Sequence, residues 1–160
     1  MKKKTLDEND FDIFVIGGGV NGAGILRDAA GRGYKCGLAD MGDFGSATSS
    51  SSTKLFHGGL RYLESYQFRL VKESLRERDL LLNLMPHISW PVKFILPHNK
   101  NLRPYWILRL GLYIYDILAG STKLSKSVGI NFRNNTVGNC LDKSYTRGIA
   151  YTDCCVEDSR

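Results

Sequence analysis

The chain has 160 residues, about the length of one ordinary domain, with 42% hydrophobic and 24% charged residues and a formal charge of +6. That composition excludes an intrinsically disordered protein. Its basic residues are interleaved with acids and no nucleic-acid-binding motif occurs, so no nucleic-acid partner is expected.

Lys2-Lys3-Lys4 followed by Asp7, Glu8 and Asp10 reads as a flexible, solvated tail over residues 1–11. It lacks the apolar core of a signal peptide and the acid-poor character of a transit peptide, which points to a bacterial, cytoplasmic style of start. Next, Ile13, Phe14, Val15 and Ile16 form the short apolar run of a doubly buried parallel strand. The run leads directly into G-x-G-x-x-G at Gly17, Gly19 and Gly22. Gly17 permits a sharp turn, Gly19 lets backbone approach a pyrophosphate, and Gly22 lets the following helix pack closely on the strand. The free N–H groups at the start of that helix face the anion.

The helix is expected from about Asn21 to Arg32, with Ile25, Leu26, Ala29 and Ala30 toward the sheet and Gly31 and Gly33 at its end. A second strand follows from about Tyr34 to Ala39, and Asp40 stands at its carboxyl end, 18 residues after Gly22. A carboxylate there accepts hydrogen bonds from both ribose hydroxyls of an adenosine. It also repels a 2′-phosphate, which disfavours an NADP-type ligand. Gly37 departs from the pattern, because such a strand normally buries an apolar side chain at that point. The expected fold class is α/β, with a Rossmann-like βαβ unit beginning a doubly wound sheet.

After Ala47, Thr48 to Thr53 is a run of Ser and Thr, continued by Lys54-Leu55-Phe56-His57-Gly58-Gly59-Leu60-Arg61-Tyr62-Leu63-Glu64. By composition alone the run is a flexible linker. Its position just after the second strand supports another reading, in which hydroxyls and N–H groups line the same crevice and donate to phosphate oxygens or a ring edge. Gly58-Gly59 would let backbone lie flat against an aromatic cofactor. Bland readings stand beside these: Lys54 as a solvated loop lysine, His57 as a packing or capping group, and Arg61 paired with Glu64 at i,i+3.

Beyond Glu64 a helix is expected through about Met85, ended by Pro86. Phe68, Val71, Leu75, Leu82 and Met85 form its apolar face, with Arg69, Lys72, Glu73, Arg76, Glu77 and Arg78 on a solvated face. Trp90 to Pro97 alternates and is bounded by prolines, so it reads as a short edge strand. Pro104 to Gly120 is a second helix, apolar nearly all round and broken only by Arg109 and Asp116. Its 17 residues with two charges make a poor membrane span. A buried helix is the preferred reading, the other being an interfacial helix whose Tyr105, Trp106, Tyr113 and Tyr115 sit among lipid headgroups. Residues 121–139 read as loop, Gly148 to Thr152 as a strand, and Val156 to Arg160 as the opening of a helix. Cys36, Cys140, Cys154 and Cys155 show no C-x-x-C pair and no metal-ligand spacing, so reduced thiols and no metal site are expected.

Three segments together carry a resemblance: G-G-G-V-N-G-A-G from Gly17, T-S-S-S-S-T-K-L-F-H-G-G-L-R-Y-L-E from Thr48, and Asp153-Cys154-Cys155-Val156-Glu157-Asp158. In order and spacing the chain resembles the FAD-dependent glycerol-3-phosphate dehydrogenases of the aerobic, respiratory type. H-G-G-L-R-Y-L-E is the most specific part. Thr53 stands where that family usually has Ser, and Cys155 where an aromatic residue is expected.

The resemblance implies an FAD enzyme that oxidises sn-glycerol 3-phosphate to dihydroxyacetone phosphate, with hydride passing from C2 to flavin N5 and electrons then to a membrane quinone. By motif, Gly17, Gly19, Gly22 and Asp40 serve the ADP half of FAD. Thr48, Ser49, Lys54, His57 and Gly58 lie along the pyrophosphate and flavin. Arg61 and Tyr62 contact the substrate, since an Arg fork suits a phosphate dianion and a Tyr hydroxyl can orient it. Peripheral attachment to the cytoplasmic face of a bacterial inner membrane is implied, and a homodimer is compatible with it. The expected layout is a tail at 1–11, an FAD-binding βαβ unit with its flavin loop at 12–64, and at 65–160 a helical linker with the beginning of an α+β substrate domain, incomplete at its C-terminus. Because members of that family run to several hundred residues, the sequence reads as the amino-terminal part of such an enzyme. A flavoenzyme of the amino-acid-oxidase type and an inactive nucleotide-binding fragment are the alternatives.

Overall fold

The apolar run Ile13–Ile16 forms a strand (β1) paired in parallel with Cys36–Ala39 (β2), in a computed structural model that describes residues 11–157. Parallel neighbours require a crossover, and the helix Val20–Gly31 (α1) supplies it. A Cβ on Gly22 would collide with the carbonyl oxygen of Gly17, so the helix lies against the strand end at that point. This close approach centres the inner face on Gly22, Leu26 and Ala29. Ile25 and Ala30, expected to face the sheet, are therefore exposed. Gly37 has its explanation in the register: it lies opposite Phe14, whose ring occupies the space a side chain there would need. Phe11 packs on the same ring, with centroids 5.5 Å apart.

Among the described residues this sheet has two strands, and its rim is apolar. Ile16 and Val20 are 89% and 70% exposed. An apolar cleft of about 720 Å³, lined by Ala23, Leu26, Ala30, Leu38 and Phe44, runs beside α1 and β2. Such uncovered edges and faces make the unit prone to self-association.

A second unit spans Leu55 to Glu157. Its centre is a ten-residue strand, Arg147–Val156 (β6), paired antiparallel along its whole length with Ser89–His98 (β4). On its other side β6 pairs with Leu55–Phe56 (β3) and Val128–Asn131 (β5). Strand β4 is at the edge, where Pro91 and Pro97 leave no interior ladder donor missing.

Three sequence expectations change here. The strand expected at 148–152 runs from 147 to 156, and Val156 closes it opposite Ser89 instead of opening a helix. Residues 158–160 of that expected helix, and the tail up to residue 10, lie outside the described residues. Residues 121–139, expected as loop, contain β5 and two 3₁₀ turns capped by the side chains of Asn131 and Asn135. In each case pairing with a distant strand, or a local Asn cap, overrides weak local preference. The first compact unit runs to Lys54, and Leu55 and Phe56 pair with Cys155 and Cys154 in the second.

Helices Phe68–Leu84 (α2) and Tyr105–Ala119 (α3) pack through Val71, Leu75 and Tyr115, with Leu60, Leu63, Leu118 and Tyr151 around them. A 3₁₀ turn, Leu60–Ser65, precedes α2. The buried reading of α3 holds for one face only. Leu112 and Tyr115 are buried, whereas Trp106, Leu110, Tyr113 and Ile117 are 49–66% exposed and fall at intervals of four, three and four. All four cysteines are unbridged. Burial pushes the Cys154 thiol up to about 11, which keeps it protonated and unreactive.

Leu75 is 1% exposed at the centre of this core. Leu75→Ala is expected to lower unfolding stability by about 2–5 kcal/mol, measured by urea denaturation. Trp106→Ala on the outer face is expected to change it by no more than about 0.5 kcal/mol.

Candidate functional site

The turn after β1 presents backbone donors. Gly17 has φ +105°, and Gly19 caps α1 in an extended conformation with no side-chain cap. The Val20 N–H donates to Ser49 Oγ at 3.1 Å. The N–H groups of Gly19, Asn21 and Gly22 have no acceptor among the described residues. Three free donors at a helix start, beside backbone without side chains, fit a pyrophosphate.

Asp40 closes the turn from the β2 side. Its Oδ2 accepts from Gly18 N–H at 2.6 Å and its Oδ1 from Gly42 N–H at 2.9 Å. These backbone bonds, Gly18 first, hold the carboxyl below its usual range. Each oxygen keeps further lone-pair capacity, so the carboxylate can still receive ribose hydroxyls.

The Ser/Thr run is an ordered turn, not an extended linker. Ser50 Oγ donates to the carbonyls of Ser46 and Ala47 at 2.6 and 2.9 Å, and Ser51 N–H donates to the Thr48 carbonyl at 3.2 Å. Thr48 and Ser49 are thereby held near one another, with Ser49 against the start of α1. Lys54 is half-buried with φ +56°, and its N–H donates to Ser52 Oγ at 3.3 Å.

The remaining sequence candidates, His57, Gly58, Arg61 and Tyr62, belong to the second unit. Gly58 N–H donates to the Tyr115 hydroxyl at 3.0 Å, and that hydroxyl donates to Asp153 Oδ1 at 2.9 Å. Arg78 Nη1 reaches the same carboxylate oxygen at 2.8 Å, while its Nη2 bonds Asp79 Oδ1 at 2.8 Å. Arg78 and Asp153 are each 2% exposed. A Cβ on Gly58 would strike both Leu75 and the Tyr115 hydroxyl, so no side chain fits there. Burial, reinforced by the Asp153 charge, pushes the Tyr115 phenol far above its usual range, so it remains a donor at every physiological pH.

This network corrects the placement of Arg78 on a solvated face. Arg78 lies seven residues after Val71 and three after Leu75, in the buried stripe of α2. That spacing was the available signal. Tyr115 and Asp153 also escaped notice as loop anchors, because nothing local marks their pairing with Gly58.

Beyond Gly58, His57 Nδ1 accepts the Gly59 N–H at 3.1 Å, which fixes the ring against its own loop. The Tyr62 ring covers Gly59, whose φ is +69°. Glu64 pairs with Arg103 at 3.0 Å and not with Arg61. The Arg61 guanidinium is exposed and has no carboxylate partner among the described residues. Among those residues no cluster of His, Cys, Asp or Glu could hold a metal ion.

Comparison with known proteins gives a consistent picture. The family model described as FAD dependent oxidoreductase matches residues 12–128. A D-erythritol 1-phosphate dehydrogenase of Brucella abortus is 54% identical over 149 residues, covering 93% of this chain and 30% of the relative. An aerobic glycerol-3-phosphate dehydrogenase of Escherichia coli is 52% identical, covering 93% and 29%. The chain thus spans about 30% of the length of the curated relatives it matches. Among solved structures, a glycine oxidase from Geobacillus kaustophilus superposes with a TM-score of 0.69 at 19% identity, over 93% of this chain and 41% of that one. An L-alpha-glycerophosphate oxidase from Mycoplasma pneumoniae with FAD bound gives 0.63 at 12% identity, over 92% and 39%. At these identities the two structures establish the fold.

Two outcomes follow from the geometry. Tyr115→Phe removes the acceptor for Gly58 N–H and a donor to Asp153, and is expected to cost about 1–3 kcal/mol in denaturant unfolding. The Asp40 contribution is complete above its usual value of 3.8 and is lost only as pH falls through the depressed one. The Gly18 amide shift in NMR is therefore expected to move only below that pH, and to stay flat in Asp40→Asn.

Proposed function

This chain belongs to the FAD dependent oxidoreductase family and carries its FAD-binding fold, and we propose that it forms the amino-terminal part of a dehydrogenase oxidising sn-glycerol 3-phosphate. The observation that carries the substrate half is Arg61. Its guanidinium is exposed and unclaimed by any described carboxylate, on a loop held rigid from beneath by Gly58, Tyr115 and Asp153. A fixed planar fork of this kind suits a phosphate dianion, and Tyr62 beside it supplies a hydroxyl for orientation. Both relatives described above are named for phosphorylated polyols, which supports the same class for this chain.

FAD held by this chain's residues would supply the hydride acceptor for oxidation at the substrate's C2. In this reading Gly17, Gly19 and Gly22 offer backbone to the pyrophosphate, and Asp40 receives the ribose hydroxyls. Thr48, Ser49 and Lys54 in the ordered turn, and His57 and Gly58 in the second unit, serve the phosphates and the flavin edge. With Nδ1 accepting from Gly59, His57 keeps Nε2–H as its outward donor.

The reading extends to transfer of electrons to a membrane quinone by an enzyme attached peripherally at the bacterial cytoplasmic membrane face. No helix among the described residues is long and apolar enough to cross a membrane. The exposed stripe Trp106, Leu110, Tyr113 and Ile117 on α3 supports attachment at an interface. A second reading, an enzyme of the amino-acid-oxidase type, shares this fold with glycine oxidase, and the substrate test below separates the two.

Addition of FAD to the purified chain, followed by removal of free cofactor, is expected to leave perturbed flavin absorbance bands. Anaerobic sn-glycerol 3-phosphate is then expected to bleach them while glycine does not. Arg61→Ala is expected to raise the half-saturating substrate concentration about tenfold or more. Bleaching by glycine alone would sink the polyol-phosphate assignment in favour of the second reading. Failure to retain flavin would show that these 160 residues do not hold FAD by themselves.

A further inference from the structure

We infer that the second unit carries a binding site for a phosphate-class oxyanion, in the cleft between the start of α3 and the β5–β6 pair. The cleft measures about 570 Å³ and is lined by Tyr105, Ile130, Asn131, Arg133, Thr146 and Arg147. No carboxylate lines it.

Arg147 is preorganised. It stands opposite Asn131 on β5 and His98 on β4, and its guanidinium lies 4.4 Å from the centroid of the Tyr105 ring. That ring is itself held: its hydroxyl donates to the Gly148 carbonyl at 3.3 Å, and His98 meets it edge-on at 5.4 Å between centroids. The His98 ring is anchored in turn through Nε2 and the Arg103 carbonyl at 2.9 Å. With its Cζ over the ring and no carboxylate partner among the described residues, the guanidinium keeps N–H groups available as the fork that grips two oxygens of a phosphate.

The rest of the lining leaves donors outward. Asn131 Oδ1 already accepts the Arg133 N–H at 3.0 Å, so its remaining capacity is the NH₂ group. Arg32, Arg69, Arg78 and Arg103 each have a carboxylate partner, whereas Arg133 and Arg147 have none among the described residues. Two unneutralised guanidinium groups and an amide donor select a ligand that only accepts and carries negative charge. A phosphate ester meets this, and a cation or an uncharged polyol does not. The site uses none of the residues assigned to FAD or to substrate, so it does not depend on the proposed reaction. The ligand is the phosphate of a soluble monoester or of a lipid headgroup.

The test is calorimetric titration of the full chain with inorganic phosphate. FAD is present and Arg61→Ala is the background, so that neither the turn at Gly17 nor the proposed substrate site contributes. Arg147→Ala and Arg133→Ala are each expected to weaken binding tenfold or more. Arg147→Lys, which keeps the charge and loses the fork, recovers it only in part, and Arg76→Ala on exposed α2 leaves it unchanged. Thermal melts of the variants establish that each is folded, and Arg147→Lys carries the comparison where an alanine variant is not. Equal affinity in the parent and in the Arg147 variants, or equal weakening by Arg76→Ala, overturns the site. Flotation with phosphatidylglycerol vesicles against phosphatidylcholine distinguishes the sources. Arg147-dependent retention on the former assigns a headgroup, and phosphate binding without retention assigns a soluble ester.

Discussion

One buried carboxylate organises the second unit. Asp153 sits on the central strand with almost no exposure and receives Arg78 from α2 and the Tyr115 hydroxyl from α3. An unpaired charge at that depth would be prohibitive, so both helices must be docked before the strand is stable. The Tyr115 oxygen then spends its acceptor capacity on Gly58 N–H. A single chain of hydrogen bonds thus runs from the sheet centre to the backbone of the H-G-G loop. Precision at Arg61 and Tyr62 is inherited from this interior arrangement, because the 3₁₀ turn that bears them begins directly after Gly59.

The first unit uses the same device in an exposed setting. Asp40 gathers the N–H groups of Gly18 and Gly42, so the carboxylate proposed to receive a ribose also holds the glycine turn in shape. Ser49 does the equivalent for the first residue of α1 while leaving three later or neighbouring N–H groups open. A turn built this way is ordered before any phosphate arrives, which lowers the entropic cost of binding.

The surface divides by chemistry. The outer stripe of α3 is apolar and aromatic, whereas the start of the same helix borders a cleft whose polar groups are donors. Arg147 joins the two, since the Tyr105 ring that supports its guanidinium is the first residue of α3. The proposed peripheral attachment and the inferred anion site can therefore be separated experimentally although they share a helix.

What was legible in the sequence was local. The strand, turn and helix around Gly17, Gly19 and Gly22, with Asp40 after the second strand, follow from an apolar run, glycines at fixed offsets and one acid, all within 29 residues of Asp12. The edge character of β4 followed from its prolines, and the H-G-G-L-R-Y-L-E segment carried the resemblance on which the proposed roles of Arg61 and Tyr62 rest. Only the tertiary structure decided that Arg78 is buried, that α3 has one inner face, and that Val156 ends a strand. Those outcomes depend on partners 38 to 95 residues away, such as Tyr115 and Gly58 for Asp153. A charge on an amphipathic helix is expected to face water unless an opposite charge from another element meets it in the core. Periodicity along one segment contains no information about that distant partner.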